Sequence, residues 1–186
     1  MIIGICGKSG CGKSTLSREI INVYKDTAIH LDIDKVGHKV LTIQEVQKEL
    51  INCFGDSIAT GDTIDRKRLG EMVFNSRGEM DKLSDITWKY MQIEIDKFLE
   101  ENNDKIVVLD WLLLPLSKYF NMCNLKILLD IPYEVRKIRA MKRDNISSDA
   151  FDLREKASID FDSKDFDYVV QNDSLEEIKR LVKLLW

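Results

Sequence analysis

The chain has 186 residues, 44% hydrophobic and 32% charged, with a formal net charge of -4. This suits one globular domain with room for a small lobe, and excludes a disordered chain and a bulk binder of nucleic acid or membranes. The four cysteines, Cys6, Cys11, Cys53 and Cys123, form no CxxC pair, so reduced cytoplasmic thiols are expected rather than a zinc site.

The first predicted strand is "IIGIC" (2–6). It lacks the basic flank of a secretory leader and runs directly into "GKSGCGKST", where Gly7, Gly12, Lys13 and Ser14 satisfy G-x-x-x-x-G-K-[ST]. Glycines let such a loop turn its N–H groups inward onto phosphate oxygens. Lys13 is placed to reach the β- and γ-phosphates, and the Ser14 hydroxyl to ligate magnesium. A helix from about Lys13 to Tyr24 then points its N-terminal dipole at the anion. Gly10, Cys11 and Thr15 complete the predicted ATP-binding loop. Lys8 either adds charge near the phosphates or points to solvent.

The second strand, "AIHL" (28–31), leads into Asp32 and Asp34. If the backbone stays extended through Ile33, both carboxylates face the same way at the carboxyl end of a parallel strand, where ligands sit. A carboxylate there can take a proton from an attacking hydroxyl or hold magnesium waters, which favours phosphoryl transfer to an alcohol over hydrolysis. The other reading makes one of them a helix cap. From about 35 to 104 the periodicity is helical with no convincing strand, and we read a helical insertion.

Three more strands follow: "KIVVLD" (105–110), "LKILLDI" (125–131) and "FDYVV" (166–170). The apolar stretch that begins in the first of these is too short to span a bilayer. Strands this apolar are buried on both faces, and their alternation with helices predicts a parallel sheet between two helical layers. Asp110, ending the third strand, is open to two readings, ordering magnesium through water or a structural role. In "EVRKIRAMKRD", Arg136, Arg139 and Arg143 recur at i, i+3, i+7 along one helical stripe. Such a stripe can close over phosphates or form a solvated face. In "SLEEIKRLVKLLW", Leu175, Ile178, Leu181, Val182 and Leu185 form an apolar stripe, and Ser174 with Glu177 makes a capping box. His30 and His38 receive no role; His30 alternates with Asp32 and could satisfy a sheet-edge hydrogen bond.

Over nearly its whole length the chain resembles the dephospho-coenzyme A kinase family. The P-loop ends GKST. "HLDID" stands for the family's "IDAD"-like segment, and "CFGDSIATGDTIDRKRLGEMVF" carries its most specific block: Phe54, Gly55, Gly61, Asp65, Arg66, Leu69 and Phe74. "MKRDNISSDAFDLREKAS" is similar to the family's lid, with Arg143, Asp144 and Arg154 on matching positions, and "YVVQNDSLEEI" to the strand and asparagine before its last helix. The resemblance implies a three-layer α/β P-loop kinase with a five-stranded parallel sheet. Its core would cover about 1–34, 104–140 and 165–186, a helical acceptor lobe about 35–103 and a lid about 141–164. It further implies ATP and Mg2+ as cofactors and transfer of the γ-phosphate to the ribose 3′-hydroxyl of dephospho-coenzyme A. Asp34 would be the base, with Arg143 alongside Lys13 in the transfer. Asp32, Asp34, Arg66 and Arg154 would lie at the acceptor, and Arg139 and Asn172 at ATP.

The chain departs from that pattern at four places. Trp88-Lys89 replaces His-Pro, Ser158 replaces Gln, Lys8 replaces Gly, and "WLLLPLSK" lacks the expected glutamate. These bear on the acceptor more than on the chemistry. A nucleoside or nucleoside-monophosphate kinase, and a regulatory nucleotide-binding paralogue, stay open as alternatives. "ILLDIP" lacks the catalytic glutamate of a transporter ATPase, and the chain has no N/T-K-x-D guanine-reading motif.

Overall fold

A computed structural model describes residues 1–61, 63–73, 76–171 and 174–184. In chain order its elements are β1 (Ile2–Cys6), α1 (Lys13–Tyr24), β2 (Ala28–Asp32), α2 (Ile33–Val40), α3 (Gln44–Phe54), β3 (Ala59–Thr60), β4 (Thr63–Ile64), α4 (Arg66–Val73) and α5 (Arg77–Glu101). There follow β5 (Ile106–Asp110), α6 (Lys118–Met122), β6 (Leu125–Leu129), α7 (Tyr133–Asp144), α8 (Ser148–Lys156), β7 (Tyr168–Val170) and α9 (Leu175–Leu184). The chain divides into two compact units, 1–32 with 102–186, and 33–101. Among the described residues no helix is long and apolar enough to cross a membrane.

The first unit is built on a five-stranded sheet in the order β2-β5-β1-β6-β7, with every pairing parallel. Chain order reverses direction at β1, whose neighbours are β5 and β6. The loop leaving its carboxyl end therefore opens at the point where such sheets hold ligands. Ile3, Ile5, Val108, Ile127 and Leu129 make the apolar centre, joined by Leu16 and Ile20 of α1 and Leu181 and Val182 of α9. The Tyr24 hydroxyl donates to the Val182 carbonyl at 3.3 Å. At the predicted cap of α9 the Glu177 N–H donates to Ser174 Oγ at 3.2 Å. Leu181 and Val182 bury as the stripe requires; Leu185 lies outside the described residues, as do the side chains of Leu175 and Ile178.

The second unit is helical, as its periodicity predicts, with one addition. Ala59 and Thr60 pair antiparallel with Ile64 and Thr63, closing on Gly61 at φ 58°. A two-residue strand is too short to leave an alternating signature, so the sequence reading missed it. Val46, Leu50 and Phe54, spaced i, i+4, i+8 on α3, pack with Ile58, Leu69 and Val73. The Glu49 carboxylate accepts from Lys89 Nζ at 2.8 Å and from the Tyr90 hydroxyl at 2.9 Å, which ties α5 to α3. Phe74 lies outside the described residues.

Candidate active site

The loop between β1 and α1 is tight because glycine stands where other residues would be strained. Gly7, Gly10 and Gly12 have φ of 146°, 82° and 100°, a region that L side chains rarely adopt. A Cβ on Gly7 would come 2.7 Å from the Leu129 carbonyl oxygen, and one on Gly10 2.3 Å from that of Arg136. Lys13 Nζ folds back across the loop and donates to the Gly7 carbonyl at 2.9 Å. Gly12 caps α1 without a side-chain hydrogen bond, so the first-turn N–H groups have no side-chain acceptor at the cap and suit an anion. Cys11 is buried, and that burial pushes its thiol up. It is a neutral packing group, not a thiolate. Gly10→Ala should destabilise the protein by about 1–3 kcal/mol from left-handed strain, read as a lower urea midpoint. An unchanged midpoint would mean that the loop adapts.

Ser14, in the first turn of α1, donates from Oγ to Asp110 Oδ2 at 3.3 Å. Asp110 is only 4% exposed. It ends β5, level with Ile5 on one side and Asp32 on the other. This carboxylate belongs to the site, although the sequence left its role open. The signal that could have found it is its place as the last residue of an apolar strand, the place Asp32 holds in β2. A hydroxyl and a carboxylate are hard oxygen donors, and Mg2+ takes few protein ligands while keeping water and phosphate oxygens. Among the described residues no cluster of three or more His, Cys, Asp or Glu side chains could hold a metal. As two hard oxygen donors, Ser14 and Asp110 fit an ion whose remaining ligands are phosphate oxygens and water. His30 Nε2 is buried without a hydrogen-bond partner among the described residues, 3.7 Å from Asp110 Oδ2.

Asp32 and Asp34 do not share an extended strand. β2 ends at Asp32, and α2 begins at Ile33. The spacing of Ile33, Val36 and Val40, all buried, imposes the helical period one residue earlier than expected. Asp34 thus sits in the first turn of α2, one turn before His38. Within the same unit, Arg66 Nη2 lies 2.8 Å from His38 Nε2. The Asp65 carboxylate accepts the N–H groups of Lys67 and Arg68 at 3.0 and 3.1 Å, and those bonds hold it below the usual carboxylate range. In "IDR", then, the aspartate caps α4 and the arginine projects from its start.

The arginine stripe on α7 divides. Arg136 is buried, Arg139 and Arg143 are exposed, so the solvated-face reading fails for Arg136. Arg143 forms a fork with Asp144, Nε to Oδ1 at 2.7 Å and Nη2 to Oδ2 at 3.0 Å, and reaches Ser9 Oγ of the loop at 3.4 Å. Arg154 of α8 donates to the same Asp144 at 2.8 Å. Asp144 so joins Arg143 to Arg154, and its carboxyl is depressed by Arg143 first and then Arg154. Lys8 neither points freely to solvent nor lines the loop's interior; it pairs with Asp160 at 2.9 Å and Glu155 at 3.3 Å. Asn172 lies outside the described residues.

The dephospho-CoA kinase family model matches residues 1–177. The dephospho-CoA kinase of Aquifex aeolicus is 32% identical over 99% of this chain and 95% of its own length. A Thermus thermophilus protein of known structure superposes with a TM-score of 0.83 at 25% identity, covering 100% of this chain and 95% of that one. The dephospho-CoA kinase of Campylobacter jejuni shares the fold, with a TM-score of 0.65 at 24% identity over 99% and 94% of the two chains. The five-stranded parallel sheet, the phosphate loop at its central strand and a family match over nearly the whole sequence place this chain in the dephospho-CoA kinase family.

Proposed function

We propose that the protein transfers the γ-phosphoryl group of ATP to the 3′-hydroxyl of the ribose in dephospho-CoA, giving CoA and ADP. The observation that carries the reading is the glycine loop with Lys13 folded across it and the Ser14–Asp110 pair at its foot. This is a phosphate cradle with a hard-oxygen pair beside it.

In this reading the acceptor oxygen bonds to the γ-phosphorus while the bond from phosphorus to the β,γ-bridging oxygen breaks, and that electron pair leaves with ADP. The Asp34 carboxylate takes the proton of the attacking hydroxyl. Loop N–H groups and Lys13 hold the β- and γ-phosphates, and Arg143, Arg139 and Arg154 neutralise charge as it shifts to the leaving group. Ser14 and Asp110 would hold Mg2+, which screens phosphate charge when bound. Arg66, held by His38, pairs with anionic groups of the acceptor, and Asp32 orients it. Residues 33–101 serve as the acceptor lobe, residues 141–164 as a lid that closes on nucleotide. By resemblance to the family, Asn172 would serve at the adenine. Free cysteines, with Cys6 and Cys11 buried and Cys53 exposed, suit a reducing cytoplasm.

The test is an acceptor panel. Purified protein with γ-labelled ATP and magnesium should label dephospho-CoA in preference to nucleosides, nucleoside monophosphates and shikimate. Label on nucleosides alone would replace the proposed acceptor. ATP binding with no transfer would favour the regulatory paralogue.

A further inference from the structure

The structure assigns to Arg136 and Glu155 a role that neither the phosphate-loop motif nor the proposed chemistry includes: they aim one peptide of the loop at the nucleotide.

Arg136 is a buried cation, 5% exposed, with all three guanidinium nitrogens donating. Nε donates to the Ile131 carbonyl at 2.9 Å. Nη1 and Nη2 form a fork onto the Glu155 carboxylate, both at 2.8 Å. Nη1 also donates to the Ser9 carbonyl of the loop at 3.4 Å. The first three bonds hold the guanidinium rigidly, which gives the fourth, longer one its directional effect. A bidentate arginine–carboxylate pair has little freedom to rotate.

The consequence follows from peptide planarity. In a trans peptide the C=O of one residue and the N–H of the next point in opposite directions, and no described peptide is cis. A cation drawing the Ser9 carbonyl outward therefore turns the Gly10 N–H inward. That N–H donates to no backbone carbonyl among the described residues and is left for a phosphate oxygen. The carbonyl of Arg136 itself sits where a Cβ on Gly10 would fall, at 2.3 Å, so this one residue backs the loop through both main chain and side chain. Glu155 completes the arrangement by also pairing with Lys8 at 3.3 Å, which anchors the loop on either side of Ser9. Arg136 is thus a positioning residue for ATP, and Glu155 positions Arg136.

The inference rests on the loop being the ATP site, and the test separates the two. Direct titration of the folded protein with Mg·ATP, combined with steady-state kinetics, should show Arg136→Met raising the ATP Kd by about tenfold, equivalent to ~1.4 kcal/mol. The KM for the acceptor should stay within about twofold. Arg136→Lys keeps an N–H donor at the end of the stem and should recover most of the loss. Wild-type ATP affinity in Arg136→Met, or equal losses in the Met and Lys variants, would overturn the assignment. A purely stabilising role would lower the melting temperature while leaving the Kd of folded protein unchanged, which also overturns it. Should Arg136→Met fail to fold, Glu155→Gln loosens the same guanidinium. A raised ATP Kd there supports the assignment, and an unchanged one overturns it. Wild-type protein that binds no ATP would remove the phosphate-loop reading itself, and this inference with it.

Discussion

Lys13→Ala is expected to fold normally and to lose turnover by a factor of about 10² or more, the scale set by removal of one preorganised electrostatic contact to a transferring group. The ammonium is held 2.9 Å from the Gly7 carbonyl, at the mouth of a loop whose N–H groups supply the rest of the phosphate binding. Phosphoryl transfer asks little covalent chemistry of the protein, so positioning and charge carry most of the rate. Losing one partly buried hydrogen bond to a carbonyl costs about 0.5–1.5 kcal/mol, so far-UV dichroism should match wild type and the melting temperature should fall by only a few degrees. Single-turnover rates at saturating ATP are the decisive measurement. A variant retaining more than about a tenth of wild-type turnover would fall short of that scale and remove Lys13 from the transfer step.

Asp34→Asn should lower the rate of transfer by about 10²–10⁴, the usual contribution of a general base, while ATP affinity stays near wild type. The amide matches the carboxylate in shape but cannot take the hydroxyl proton. Asp34 also lies in the first turn of α2, where a negative charge stabilises a helix by about 0.3–1 kcal/mol. A small fall in melting temperature is therefore expected and does not count against the role. Rate constants with dephospho-CoA and a separate ATP titration distinguish the outcomes. A marked loss of ATP binding would make Asp34 a nucleotide ligand, and an unchanged rate would leave the proton to another group.

Five apolar runs became the five strands of the sheet; β1, β5 and β6 at its centre are mostly buried, as expected of strands covered on both faces, whereas the edge strands β2 and β7 are half-buried or exposed at most positions. The glycines of the motif marked a turning loop, and the structure sets Gly7, Gly10 and Gly12 at positive φ. The missed features share one physical cause, that partners far apart in the chain carry no local signal. Asp110 looks like any strand-ending acid until parallel pairing sets it level with Asp32 and brings Ser14 to it. Lys8 and Arg136 stay open to a phosphate-facing or a solvated reading until Glu155, 19 positions from Arg136, accepts both. The extended path through Ile33 failed for the opposite reason. A purely local rule, strand alternation, was carried one residue past the point where helical burial of Ile33, Val36 and Val40 prevails.

What residue order alone determined is the kind of chemistry, since a glycine loop running into Lys-Ser and a helix has few uses other than gripping phosphate. It also determined the parallel sheet and the capped last helix, because both arise from periodicity and neighbours within a few positions. Only the folded chain decided which charges face one another: Ser14 with Asp110, Arg143 and Arg154 on Asp144, Arg136 and Lys8 on Glu155. Electrostatic pairing depends on distance in space and on burial, and neither quantity exists until the strands have aligned and the helices have packed against them.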